Sequence, residues 1–324
     1  MKTPNHVAIL AFDGVQVLDV TGPAAVFAAA NDAAGQPCYR IHILSAHGGL
    51  VTSNSGVALQ TQALSSTAPA GIDTVLVAGG SADGLQALAC DDKARDWITQ
   101  ASARARRYGS VCSGALVLAA WGLLRGKRVA THWEATALLG RHADLQVDAD
   151  ALYVEDGRVW TSAGVTTGID MCLALVARDL GDGVANAIAR RLVLYARRPG
   201  YQSQFSPMLT AQARAEPGFS ALLDWVREHL AEPLDVERLA ERAGMSPRHF
   251  HRRFTEAFGA TPARFVETLR LDAARQLLAA QVPLKEIAVR TGYANPGQFS
   301  KAFVRRIGIS PGLFRETQGA SHTA

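Results

Sequence analysis

Cys112 follows a short strand-like run, Gly109–Val111, and precedes Ser113-Gly114-Ala115 and an apolar helical stretch with Leu116, Val117 and Leu118. A thiol on a sharp strand-to-helix turn projects from the top of a sheet. The N–H groups and dipole of the following helix then favour the thiolate. Such a thiol can attack an electrophilic carbon or be oxidised to a sulfenic acid. Hydrolysis would also need a base beside it to take and return a proton. His132 lies 20 residues further on and is one candidate; a structural histidine at a strand end is the other reading of it. For Cys112 itself, a buried thiol without chemistry is the plain alternative.

A second group of side chains lies near the carboxyl end. Phe250, Phe254 and Phe258 recur every four residues, so one helical face turns inward and the opposite face presents Arg248, Arg252 and Thr255, with His249 and His251 on its flanks. Later, Phe299 and Phe303 turn inward while Gln298, Lys301 and Arg305 turn outward. These are donors suited to base edges and phosphates of a major groove. Charge agrees with that chemistry: residues 245–315 hold 12 Lys/Arg against 4 Asp/Glu, whereas the chain before Ala211 is balanced at 17 of each. A neutral front and a basic back suggest a polyanionic partner for the back alone, a solvated basic surface being the other reading.

The elements that must position these groups differ between the two regions. Val236, Leu239, Ala240 and Ala243 form a helical stripe after a capping Asp235. Gly244 ends that helix, and Ser246-Pro247 starts the next. Leu284–Arg290, Gly292 and a helix from about Asn295 repeat the arrangement 49 residues later, with a connecting helix over 262–280 between them. Two recognition helices on a rigid spacer would enter successive major grooves, about 34 Å apart. The front instead alternates apolar strands (His6–Phe12, Tyr39–Ser45, Thr74–Val77, Gly109–Val111) with helical patterns at about Gly22–Asn31 and Asp91–Arg107. A hairpin, Tyr153–Asp156 with Arg158–Thr161, comes next, and helical patterns follow over Val165–Leu180 and Asp182–Tyr195. This predicts an α/β domain, a mainly parallel sheet with helices on both faces, followed by an all-α domain with two helix-turn-helix units. Residues 197–211, aperiodic and rich in Pro and Gly, read as a linker between domains 1–196 and 212–317, with a tail at 318–324. The four cysteines form no metal-ligand spacing, and no apolar run approaches the ~20 residues of a membrane span. No metal, cofactor or secretory signal is expected, and the protein is expected in the cytoplasm.

The segments Gly292–Phe303 and Gly308–Arg315, with their matching connector, resemble the signature of AraC/XylS-family regulators over roughly Leu222–Thr317. The resemblance implies double-stranded promoter DNA as partner, read by Arg248, His251, Arg252, Asn295, Gln298 and Lys301, and RNA polymerase as a further partner if the protein activates. In the front, Gly14–Pro23, Ala78-Gly79-Gly80, the cysteine turn, Leu123–Trp133 and Ser162–Asp170 occur in an order similar to the class I glutamine amidotransferase-like superfamily, which includes PfpI proteases and isonitrile hydratases. Together the halves resemble GlxA-type regulators. By that resemblance Asp19 lies close to Cys112, and Gly79 and Gly80 supply N–H groups resembling an oxyanion site. Asp19, Gly79, Gly80, Cys112 and Ser113 would line a pocket for a small-molecule effector, and the protein is expected to be a homodimer.

Two departures weigh against hydrolysis. Ser113 stands where PfpI-type proteases carry histidine, and Ser162–Asp170 contains no histidine for an amidotransferase triad. Cys112, Asp19 and Ser113 would suit a hydratase resembling the isonitrile enzymes. The expectation is therefore a regulator whose front domain senses a metabolite without catalysis, the alternative being a bifunctional protein with a Cys112-dependent hydratase or hydrolase.

Overall fold

The computed structural model describes residues 3–194, 197–200, 204, 217–258, 260–307 and 310–319. The chain divides into two compact units, Met1–Gln204 and Phe205–Ala324.

The front unit is an eight-stranded sheet. In chain order its elements are β1 (Asn5–Leu10), α1 (Val17–Ala34), β2 (Tyr39–Ser45), β3 (Gly49–Thr52), β4 (Ala58–Ala63), β5 (Thr74–Val77), α2 (Ala82–Ala89), α3 (Asp92–Arg104), β6 (Arg107–Val111) and α4 (Gly114–Ala120). A two-stranded pair, β7 (Arg128–Val129) with β8 (Gln146–Val147), flanks α5 (Thr136–Leu139); β9 (Tyr153–Asp156), β10 (Val159–Ser162), α6 (Thr166–Leu180) and α7 (Asp182–Arg191) complete the unit. The strand order is β3-β4-β2-β1-β5-β6-β10-β9, parallel from β4 to β10 with an antiparallel strand at each edge. β5 is buried along its whole length, as a strand covered on both faces requires. From central β1 the chain first moves outward to β2 and later, through β5, the opposite way to β6. Right-handed crossovers in opposite directions place α1, α6 and α7 on one face and α2, α3 and α4 on the other. The loops after β1, β5, β6 and β10 therefore meet at one end of the sheet, where the direction of winding switches.

The second unit is helical throughout its described residues: α8 (Pro217–Glu228), α9 (Val236–Arg242), α10 (Pro247–Phe258), α11 (Pro262–Ala279), α12 (Leu284–Arg290), α13 (Pro296–Ile307) and α14 (Pro311–Gly319). Phe219 of α8 is the centre of the first half, with its ring 5.4–6.1 Å from Phe250, Phe254 and Phe258 in edge-on geometry. Phe299, Phe303 and Phe314 fill the second half. Four helices start with the same device, a capping side chain and then proline: Ser246, Thr261, Asn295 and Ser310 each accept a bond from the backbone N–H three residues on. The turns end at Gly244 and Gly292, with φ of +66° and +70°. At Gly292 space is also short: a Cβ there would lie 2.4 Å from Leu230 O and 2.5 Å from the Arg270 guanidinium. Arg270 of α11 itself donates to Leu230 O (3.0 Å) and Glu232 O (2.6 Å), tying the connecting helix to the turn between α8 and α9.

Part of the segment expected to be a linker is anchored instead. Arg197 binds Asp182 and Asn186, Arg198 binds Asp170 and Thr166, and Gln204 bonds to Asp150, Thr131 and Ala151. Its polar side chains find carbonyl and carboxylate partners that composition alone does not reveal. Residues 195, 196, 201–203 and 205–216 lie outside the described residues, as do 320–324 of the expected tail. No helix among the described residues is long and apolar enough to cross a membrane.

Candidate functional site

Four turns converge on Cys112. It is the first residue after β6 and adopts φ +58°, a left-handed conformation that costs a non-glycine residue on the order of 1 kcal/mol. Its N–H donates to Ser162 O (3.0 Å), and its carbonyl accepts from the Thr131 hydroxyl (3.0 Å). The neighbouring turns approach so closely that only glycine fits. A Cβ on Gly164 would sit 2.1 Å from Cys112 Cβ, and one on Gly79 2.8 Å from the same atom.

Asp19, in the first turn of α1, is fully buried beneath this turn. Its carboxylate accepts from Val165 N (2.7 Å) and Gly79 N (3.1 Å), and the Cys112 thiol lies within hydrogen-bonding reach. Burial pushes the Asp19 carboxyl up to about 6, against the pull of those three donors. The Cys112 thiol is pushed up to about 12, first by burial and then by the adjacent Asp19 charge; the Ser113 N–H and hydroxyl pull the other way but do not prevail. At neutral pH the pair thus holds one negative charge, on Asp19, with the S–H donating to it.

This arrangement corrects two expectations. The helix after Cys112 does not make it an exposed thiolate, because desolvation and Asp19 outweigh the N-terminus of α4; the exposed, low-pKa oxidant sensor is therefore not what the turn presents. Nor are Gly79 and Gly80 aimed at an oxyanion. Gly79 N–H is taken by Asp19, and Gly80 N–H by Ser113 Oγ (3.2 Å). These donors hold side chains in place. His132 likewise turns elsewhere: its ring pairs with Glu134 (3.6 Å) and packs on Trp133. From that segment it is Thr131 that reaches the cysteine turn. Asp19, Gly79, Gly80, Cys112 and Ser113 are brought together. Gly164 and Val165 join them through their backbone, and Thr131 through its hydroxyl. A separate cavity of about 320 Å³, lined by Trp121, Arg125, His142 and Asp144 among others, contains none of these residues.

In the second unit, Arg248, His251 and Arg252 on α10 are exposed, as are Gln298 and Lys301 on α13 and Asn295 at its start. Phe250, Phe254, Phe299 and Phe303 are buried behind them. Asn295 already has a structural duty, since its Oδ1 accepts from Gln298 N (2.9 Å) and caps α13. Arg305 pairs with Glu267 of α11.

The DJ-1/PfpI family matches residues 5–178, and a helix-turn-helix domain matches residues 239–317. The HTH-type transcriptional regulator GbdR of Pseudomonas aeruginosa is 30% identical over 321 residues, covering 98% of this chain and 86% of that protein. The HTH-type transcriptional regulator GlxA of Rhizobium meliloti is 32% identical, covering 90% of each chain. Isonitrile hydratase of Pseudomonas putida is 34% identical, covering 74% of this chain and 96% of the hydratase. The chain belongs to the DJ-1/PfpI family through its front unit and, over nearly its whole length, to the HTH-type transcriptional regulators, with an AraC-type helix-turn-helix domain as its second unit.

Proposed function

We propose that this regulator reads promoter DNA with α10 and α13, through Arg248, His251, Arg252, Asn295, Gln298 and Lys301, and that its front unit senses a small metabolite beside Asp19 and Cys112. The observation that carries the sensing role is the buried Asp19 carboxylate, held by two backbone donors against a protonated thiol. A charge kept under such cover is sensitive to whatever occupies the space beside it. The surrounding N–H groups are engaged, which suits recognition better than hydrolysis. A bound metabolite acts on promoter affinity only through its different affinity for the two states of the protein. We place the protein in the cytoplasm as a homodimer, touching RNA polymerase where it activates. A thermal-shift screen of metabolites tests the sensing role: a compound that stabilises the wild type and not Asp19→Ala supports it. Stabilisation of both alike would move the binding site elsewhere.

The likeness to an isonitrile hydratase favours one second reading, in which Cys112, Asp19 and Ser113 add water to an isonitrile. Incubating the chain with an alkyl isonitrile separates the two. Turnover lost in Cys112→Ala would establish the enzyme; no turnover is the expected result.

A further inference from the structure

Two short chains of hydrogen bonds lead from the Asp19–Cys112 pair to the segment that leaves the front unit. In the first, Cys112 O accepts from the Thr131 hydroxyl (3.0 Å), and Thr131 O accepts from the Gln204 amide (2.9 Å). In the second, Asp19 accepts from Val165 N (2.7 Å). The next residue, Thr166, opens α6, and its hydroxyl accepts from the Arg198 guanidinium (2.8 Å).

Both ends on the segment are firmly seated. Gln204 uses all its donors: N–H to Asp150 O (2.7 Å), and the side-chain amide to Thr131 O and to Ala151 O (3.0 Å). Arg198 grips the buried Asp170 with its backbone N–H (3.1 Å), Nε (3.0 Å) and Nη2 (2.6 Å). Gly200 lies flat on β9, where a Cβ would be 2.3 Å from Tyr153 O. An ordinary connector between domains needs none of this.

We infer that residues 197–200 and Gln204 act as a read-out strap, through which the state of the Asp19–Cys112 pair is passed to the chain leading into the DNA-binding unit, with Gln204 and Arg198 as the positioning residues. The inference rests on the proposed sensing role of that pair. Its physical basis is the shared partner. Thr131 cannot follow a shift of the Cys112 carbonyl without moving the carbonyl that holds Gln204, and Val165 cannot follow Asp19 without moving the start of α6 under Arg198. Arg197, bound to Asp182 and Asn186 on α7, is seated on the same strap but leads to neither member of the pair.

Coupling is reciprocal, so DNA binding must be felt at the cysteine turn. Hydrogen exchange by mass spectrometry on the full chain reads it, using as probe a duplex selected in vitro by the wild type. In the wild type, exchange in peptides covering Cys112 and Thr131 should change at least twofold when the duplex binds. In Gln204→Met, which keeps the side-chain length and removes both amide donors, the response at Thr131 should vanish while duplex affinity stays within about twofold. Arg197→Ala should keep the response, and Gln204→Glu, with no amide donor, should lose it. A response retained in both Gln204 variants overturns the strap but leaves the sensing role standing. A wild type whose cysteine turn is indifferent to the duplex overturns the strap as well. The sensing role itself fails separately, if no metabolite distinguishes the wild type from Asp19→Ala.

Discussion

Gly164 and Cys112 stand so close that the smallest side chain on Gly164 would place a carbon 2.1 Å from Cys112 Cβ and 2.4 Å from its Cα. Gly164 also sits at φ +89°. Gly164→Ala should therefore cost on the order of 3 kcal/mol or more, since backbone strain and an overlap with main-chain atoms add. Gly157→Ala, at φ +61° with open space around it, should cost only about 1 kcal/mol. Urea midpoints of the two variants check this; equal losses would contradict the packing of the cysteine turn.

The Asp19–Cys112 pair makes a pH prediction. Asp19 is raised from 3.8 to about 6, so the folded chain holds this proton more tightly than the unfolded one. Its contribution to stability is full below about pH 4 and is lost as pH rises through 6, a fall of roughly 3 kcal/mol. Asp19→Asn removes the titrating group. The stability difference between wild type and variant should then slope between pH 4 and 6 and level above; a difference flat across that window would contradict the assignment.

Thiol reactivity follows from the same geometry. Cys90 is exposed, while Cys112 is buried and held protonated. At pH 7.5 iodoacetamide should label Cys112 at least about tenfold more slowly than Cys90. Asp19→Asn removes the neighbouring charge that raises the Cys112 pKa and should speed its labelling. Peptide-resolved mass spectrometry measures both rates.

On the DNA side, Arg252→Ala and Lys301→Ala should each weaken promoter binding by about 1–3 kcal/mol if they contact base edges. If they contact phosphates instead, the salt slope should fall by about one. Asn295→Ala should do something further. It removes the cap of α13, so stability should fall by about 1 kcal/mol together with affinity. Fluorescence anisotropy at fixed salt, beside thermal melts, separates the two effects.

Much of this architecture was legible in the chain because its signals are local. Tyr39–Ser45 and Thr74–Val77 form strands with the predicted bounds, the first because it alternates apolar and polar residues, the second because a strand buried on both faces is a continuous apolar run. The glycine turns at Gly244 and Gly292 were equally plain. What escaped reading was set by tertiary contact. The edge hairpin β3–β4 carries exposed polar residues and weak alternation. α1 begins at Val17, capped by Gln16, five residues before Gly22-Pro23; Gly22 is a packing residue inside the helix, where Ile169 of α6 comes within 3.0 Å of a Cβ position. At the site, Asp19 and Cys112 could be matched by motif. The Val165 N–H could not, since a backbone group leaves no mark on residue type, and neither could the Thr131 hydroxyl or the seating of Gln204, whose partners are backbone carbonyls brought near only by folding. Within Ser162–Asp170 it is the Val165 N–H, not a histidine side chain, that the fold supplies to the site.

In the proposed function α10 and α13 are presented together to one duplex. In vitro selection of random DNA by the full-length chain reads this out. The enriched sequences should contain two short motifs spaced by about one helical turn, 10–10.5 base pairs, with the pair preferred over either motif alone. Enrichment of no sequence, or of a single motif with random flanks, would contradict it.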